Sequence, residues 1–276
     1  MRLKTLAAGA GVLIALAAPA SAAATTLIGS GSVAAEPVLR PLFSKYQKVT
    51  HGKVHFLYTA NGGNAGVADV QAGRSQFAGQ ARPPLPSDAG TTYIKLYLDG
   101  LCMDVNPANS LSNISIPQVA DIYHAVTTNW SQVPGSNLNT TIDPVGRDTN
   151  GGTYTFFLQA VLNNQIQSSK VNALTGDGLV ANAVKTDPNA IGYIGLGWQG
   201  AGIKRVSLNG VPCVPKQVKK LRYPLSRFIW LVLPTNGSNR LLQRFADWVR
   251  NSPVAGKVIA KSGGVPAFNH AKKKKR

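Results

Sequence analysis

The chain has 276 residues, 44% of them hydrophobic and 14% charged, with a formal charge of +18. That apolar fraction excludes a mainly disordered chain and suffices for the core of one large domain or two ordinary ones. Two cysteines are too few for a disulfide-built scaffold, and the surplus of positive charge draws anions toward the surface.

The start reads as a secretory leader. Arg2 and Lys4 precede an apolar run from Leu6 to Ala18, followed by Pro19 and the small triplet Ala20-Ser21-Ala22. The run is shorter than the roughly 20 apolar residues needed to cross a bilayer, so residues 1–22 are expected to be cleaved and the mature chain to be periplasmic or secreted. At the other end, residues 271–276 (AKKKKR) read as a basic tail. Without Arg2, Lys4 and the five basic residues of the tail, +11 remains on the body, whose single Glu is Glu36.

Between these ends, apparent strands and helices alternate. TTLIGSGS is a strand entering a Gly/Ser turn. Val38, Leu39, Leu42, Phe43 and Tyr46 have helical spacing over 34–46, although Pro41 either disturbs the interior or puts the start later. KVHFLYTA predicts a strand, Gly66 to Ala72 a short helix and SQFAGQARP a short buried strand. The pattern predicts α/β with a mostly parallel sheet. TTYIKLYLDGLCMDVNP and YPLSRFIWLVLP are longer extended runs. Between them come a helix at 116–125, strand TIDPVG, helices at 154–163 and 178–186, and strand AIGYIGLG; a helix at 239–251 lies beyond the second run. We therefore expect two lobes, 23–105 with 224–270 and the inserted 106–223, joined by two crossover strands.

Three loops run from a strand end to a helix start: Gly29-Ser30-Gly31-Ser32, Asn61 to Gly66, and Arg147 to Thr153. Free amides at such helix starts suit an anion, and Arg147 adds a guanidinium able to bind it bidentately. In open α/β sheets these ends face a ligand crevice. Other patterns carry less. Gly195 to Gly200 fits G-x-G-x-x-G, but a dinucleotide site needs a helix next, and the segment GIKRVSLNGV reads as a strand. His51 and His55 lack an acid or Cys cluster for a metal, and no nucleophile–base pair suggests a hydrolase. Cys102 and Cys213 are able to bridge, though spacing alone does not show it.

The chain resembles the phosphate-binding receptors of bacterial phosphate ABC transporters. The residues are GSGSVAAEPVLRPLFSKYQ, GGNAGVADVQAG with QFAGQARPPL, VADIY with TTNW, PVGRDTNGGTYTFFLQAVL, IGYIG, YPL and FADWVRNSPVAGKVIAKSGGVPAF. The resemblance implies a two-lobed periplasmic binding protein-like fold. It implies a monomer that captures phosphate or a related oxyanion for an ABC permease, with no catalysis, cofactor, metal or specific nucleic acid. The implied ligand-binding residues are Ser32, Val33 and Ala34 in the first loop, Gly63 and Asn64 in the second, and Arg147, Gly151, Gly152 and Thr153 in the third. Arg147 is expected to be the one side-chain cation on the anion. Two positions depart from the family pattern: Gly151 replaces a Ser, and Ala81 stands where an Asp often accepts the phosphate proton. Glu36 and Asp148 are the nearest replacements by sequence. The alternative is an envelope protein that binds polyanions through its basic surface.

Overall fold

The computed structural model describes residues 23–268 apart from Gln199, Ala201 and Ser238, so the expected leader and tail lie outside the described residues. The elements run β1 (Thr25–Gly31), α1 (Glu36–Val49), β2 (Val54–Thr59), α2 (Gly63–Gln71), β3 (Phe77–Gln80), β4 (Thr91–Val105), β5 (Asn113–Ile114), α3 (Ile116–Tyr123), β6 (Asp143–Arg147), α4 (Gly152–Ala160), β7 (Asn172–Leu174), α5 (Asp177–Thr186), β8 (Ala190–Gly195), β9 (Lys204–Leu208), α6 (Pro215–Lys219), β10 (Ser226–Pro234), α7 (Arg240–Asn251) and α8 (Pro253–Lys261).

The strands join in the order β2-β1-β3-β10-β4-β8-β6-β7, with β9 on β4 and β5 on β9. β1 lies parallel to β2 and β3, and β6 parallel to β7 and β8. The centre is antiparallel, β10 with β3 and β4, and β4 with β8 and β9. This departs from a mostly parallel sheet for a simple reason. The chain leaves one half along β4 and returns along β10, and neighbouring outward and return strands must oppose each other. β4 pairs with β10 as far as Gly100 and with β8 from Leu101 onward.

Two main cores flank that switch. One gathers Leu27, Leu39, Phe43, Phe77, Leu231 and Phe245, and the other Met103, Trp130, Phe157, Tyr193 and Tyr223. α1 runs straight through Pro41 and buries Val38, Leu39, Leu42, Phe43 and Tyr46. Burying five such side chains, at roughly 1.5–3 kcal/mol each, outweighs the ~3 kcal/mol of an interior proline. α4 begins two residues earlier than the spacing predicts and ends at Ala160, before Asn163 and Asn164 turn to positive φ. α8 has no counterpart among the helices that the apolar spacing predicts. Ser252 ends α7 and also accepts the Val254 N–H, with Pro253 opening the new helix, an arrangement favourable to a helix start. The segment after Gly200 forms β9, a strand, so no helix succeeds the glycine pattern.

Cys102 in β4 is disulfide-bonded to Cys213, with Cα atoms 5.6 Å apart and both residues buried. Two positions further along β4, Asp104 is fully buried and receives Arg205 Nε on Oδ1 at 3.2 Å, while Oδ2 has no hydrogen-bond partner among the described residues. Burial pushes its carboxyl from 3.8 up to about 6, against the pull of Arg205. A carboxyl whose pKa is higher in the folded state favours folding when protonated, and that contribution is lost as pH rises toward and through about 6. We expect Asp104→Asn to be more stable relative to wild type at pH 7 than at pH 5. A stability difference that does not change between these pH values, measured by thermal unfolding, would refute this.

Candidate anion-binding site

Charged side chains buried in strands must be paired, and here two such pairs meet. Arg227, on β10, donates from Nε to Asp99 Oδ2 at 2.9 Å and from Nη1 to the Thr153 hydroxyl at 3.0 Å. Its Nη2 is ion-paired with Asp99 Oδ2 at 2.9 Å but, buried, makes no hydrogen bond among the described residues. Arg147, at the end of β6, donates from Nε to Leu174 O at 3.1 Å, from Nη2 to Thr175 O at 2.8 Å, and from Nη1 to Asp177. Asp99 accepts the Leu196 N–H and Asp177 the Gly195 N–H. A Cβ on Gly195 would lie 3.4 Å from Asp99, 3.5 Å from Asp177 and 3.7 Å from Ala34. The two ion pairs and the first loop therefore surround one glycine. Burial raises the Asp99 carboxyl above its usual range, with Arg227 opposing and Asp177 adding to the rise.

The first loop is fixed from three directions. Ser32 N–H donates to Gly79 O at 2.8 Å, Tyr58 Oη donates to Ser32 O at 3.1 Å, and Ser32 Oγ accepts the Ala35 N–H at 3.3 Å. The hydroxyl proton of Ser32 thus stays available, and the Val33 and Ala34 amides make no hydrogen bond among the described residues. The amides of Gly152 and Thr153, in the first turn of α4, are equally unpaired there. Gly151 stands against Arg147, whose Nη2 would be 3.1 Å from a Cβ on that glycine.

The second loop turns toward the third. Asn64 N–H donates to Asn150 O at 3.0 Å, and its Nδ2 donates to Thr149 O and Thr155 Oγ1, both at 2.9 Å. Its Oδ1 accepts Arg82 Nε at 2.8 Å, and Arg82 is itself held by Asp88. The buried amide of Gln80 fills the space between Gly63 and Gly152, where added Cβ atoms would fall 2.2 and 1.6 Å from its Oε1. Gly152→Ala should therefore push α4 away from this seam and weaken ligand binding at least tenfold with the fold retained. Calorimetric titration and circular dichroism check this; unchanged affinity would count against the seam as part of the candidate site.

Ser32, Val33, Ala34, Arg147, Gly151 and Thr153 thus border the ion-pair cluster, while Gly63, Asn64 and Gly152 border the Gln80 seam. Of the two acids nearest by sequence, Glu36 is tied to Arg40 at 2.5 Å, and Asp148 stands 3.9 Å from Arg147 Nη2. The carboxylates at the centre are Asp99 and Asp177, which sequence reasoning missed along with Arg227 and Gln80. Arg227 had a signal, as the single charge inside the apolar run YPLSRFIWLVLP, while Asp99 shares its run with Lys95 and Asp104. Asp177 and Gln80 had none of that strength.

Residues 17–252 match the model of the PBP superfamily domain. The phosphate-binding protein PstS of Borreliella burgdorferi is 22% identical over 235 residues, covering 80% of this chain and 83% of that protein. Among solved structures, a protein from Clostridium perfringens assigned as a phosphate ABC transporter substrate-binding protein, with bound phosphate, superposes with a TM-score of 0.80 at 23% identity, covering 88% of this chain and 99% of its own. An ABC-type phosphate transport receptor from Vibrio cholerae gives a TM-score of 0.72 at 23% identity, covering 87% and 99%.

Proposed function

The chain belongs to the PBP superfamily, and on that premise we propose that it captures phosphate, or an oxyanion of the same shape, between its lobes and delivers it to an ABC-type permease without chemical change. The observation that carries this reading is the buried Nη2 of Arg227, which is ion-paired with Asp99 but makes no hydrogen bond among the described residues, beside Thr153. A buried donor left unpaired costs about 1–3 kcal/mol or more, and an anion accepting from it removes that cost. In this reading the amides of Val33, Ala34 and Thr153 and the hydroxyls of Ser32 and Thr153 complete the donor set. Arg147 holds Asp177, and through it the Gly195 amide. Gly63 and Asn64 act by holding the third loop against the second.

We place the passage between lobes at Gly100–Leu101 on β4 and near Leu225–Ser226 on the return, where strand partners change. The protein would be exported through its leader and act as a monomer. Asp99 can accept a hydrogen bond from a protonated phosphate, whereas sulfate offers no proton and meets only repulsion. Calorimetric titration of the purified protein tests the reading. Phosphate is expected to bind with micromolar or tighter affinity and more strongly than sulfate. The absence of binding by either anion would overturn it.

A further inference from the structure

On the side of α1 away from its N-terminus, a groove of about 430 Å³ opens between α1 and α8, lined by Pro41, Ser44, Lys45, Lys48, Lys261 and Ser262 among others. Lys45 and Lys48 are three residues apart and so share one helix face, and Lys261 reaches the groove from α8. None of the three lysines forms an ion pair among the described residues. Glu36, the one acid on α1, is held by Arg40; α8 contains no acid; Asp247 on α7 acts on Tyr46 together with Arg244. Lys48 and Lys261 sit in last helical turns, where they oppose the carbonyl ends. Lys45 lies further from the end of its helix and is half-buried with its charge uncompensated.

Three cations and two serine hydroxyls line one trough, and no acid is among its lining residues. A compact single anion would engage one or two of them, whereas a linear polyanion can meet all in succession. The trough is also distinct from the cleft. Ala34, just before α1, faces the ion-pair cluster, Pro37 lies beside Gly197 of the other half together with the Ser262 backbone oxygen, and the groove opens a turn after Pro37 at Pro41. Lys45 and Lys48 lie nine and twelve residues beyond Glu36, the first residue of α1, about 14 and 18 Å along the helix, so the lysines of the groove stand well away from the cluster.

We propose that the α1–α8 groove binds a linear phosphate polymer, independently of the anion captured between the lobes. The test compares the full chain with its Lys45→Gln/Lys48→Gln/Lys261→Gln variant, titrating both with inorganic polyphosphate of defined length at several salt concentrations. The variant should bind polyphosphate at least tenfold more weakly. Its plot of log affinity against log salt should be shallower by about 2, from three charges at about 0.7 each. Orthophosphate affinity and the thermal midpoint should not change. Equal polyphosphate affinity and salt slope in the two proteins would overturn the proposal. So would polyphosphate binding that disappears only together with orthophosphate binding, since the polymer would then occupy the cleft. Groove-dependent binding to phosphatidylglycerol vesicles without binding to polyphosphate would overturn it in favour of a membrane contact. Lys261→Glu provides a second reading, with a larger loss expected than from Lys261→Gln.

Discussion

Arg227→Ala is expected to reduce phosphate affinity at least a hundredfold, about 2.8 kcal/mol, and to destabilise the fold by about 3–5 kcal/mol. The two losses have different origins. The first comes from removing the buried guanidinium donor beside Thr153. The second comes from leaving Asp99, only 3% exposed, without its cation in a place where burial already raises its pKa. A second variant separates them. Asp99→Asn with Arg227→Met removes both charges, keeps an acceptor for the Leu196 N–H and fills much of the volume. Replacing a buried ion pair by neutral groups is often close to neutral in stability, so the double variant should regain most of the thermal midpoint while phosphate binding stays lost. Calorimetric titration and scanning calorimetry read the two quantities. Binding by Arg227→Ala within threefold of wild type would remove Arg227 from the site.

Loss of the Cys102–Cys213 disulfide should destabilise the protein by about 4–5 kcal/mol. The bridge closes 111 residues of chain, and in the chain-entropy model a loop of roughly 100 residues contributes about 4.7 kcal/mol by restricting the unfolded state. Both sulfurs are buried, so the double Cys→Ala variant avoids placing hydroxyls in the core. Urea unfolding of this variant is expected to show the full loss, with phosphate affinity within threefold of wild type below the transition. A loss under about 1 kcal/mol would show that the unfolded chain is already constrained without the bridge.

The elements were legible where apolar period and length agreed. The five apolar residues of α1 and the long runs that became β4 and β10 were visible because burial imposes a period or an uninterrupted apolar stretch. β5 and β7, of two and three residues, are too short to show a period, and they exist through pairing with β9 and β6. The antiparallel centre followed from connectivity rather than from any local pattern. At the candidate site, Ser32, Arg147 and Gly151 to Thr153 were legible in strand-to-helix loops, and Val33 and Ala34 through the family resemblance alone. Their partners were not, because Asp177 reaches Arg147 across 30 residues and Asp99 reaches Arg227 across 128. Only the third dimension shows that Arg147 commits its donors to Leu174, Thr175 and Asp177, while Arg227 Nη2 makes no hydrogen bond among the described residues.

The place of β10 between β3 and β4 dictates an order of events during synthesis. Residues 25–105 carry four strands of the first lobe's sheet, yet the strand that joins β3 to β4 is among the last to emerge. Until residues 226–234 arrive, β3 and β4 present open edges to each other across an empty lane, and exposed edges invite pairing with foreign strands. The inserted half, whose core lies mostly between Leu101 and Leu225, is complete before that lane is filled. A chain emerging N-terminus first thus holds its first lobe unfinished until most of its length has been made. Truncation just before Ser226 would leave such a chain permanently in that unfinished state, a ready target for proteases and for aggregation.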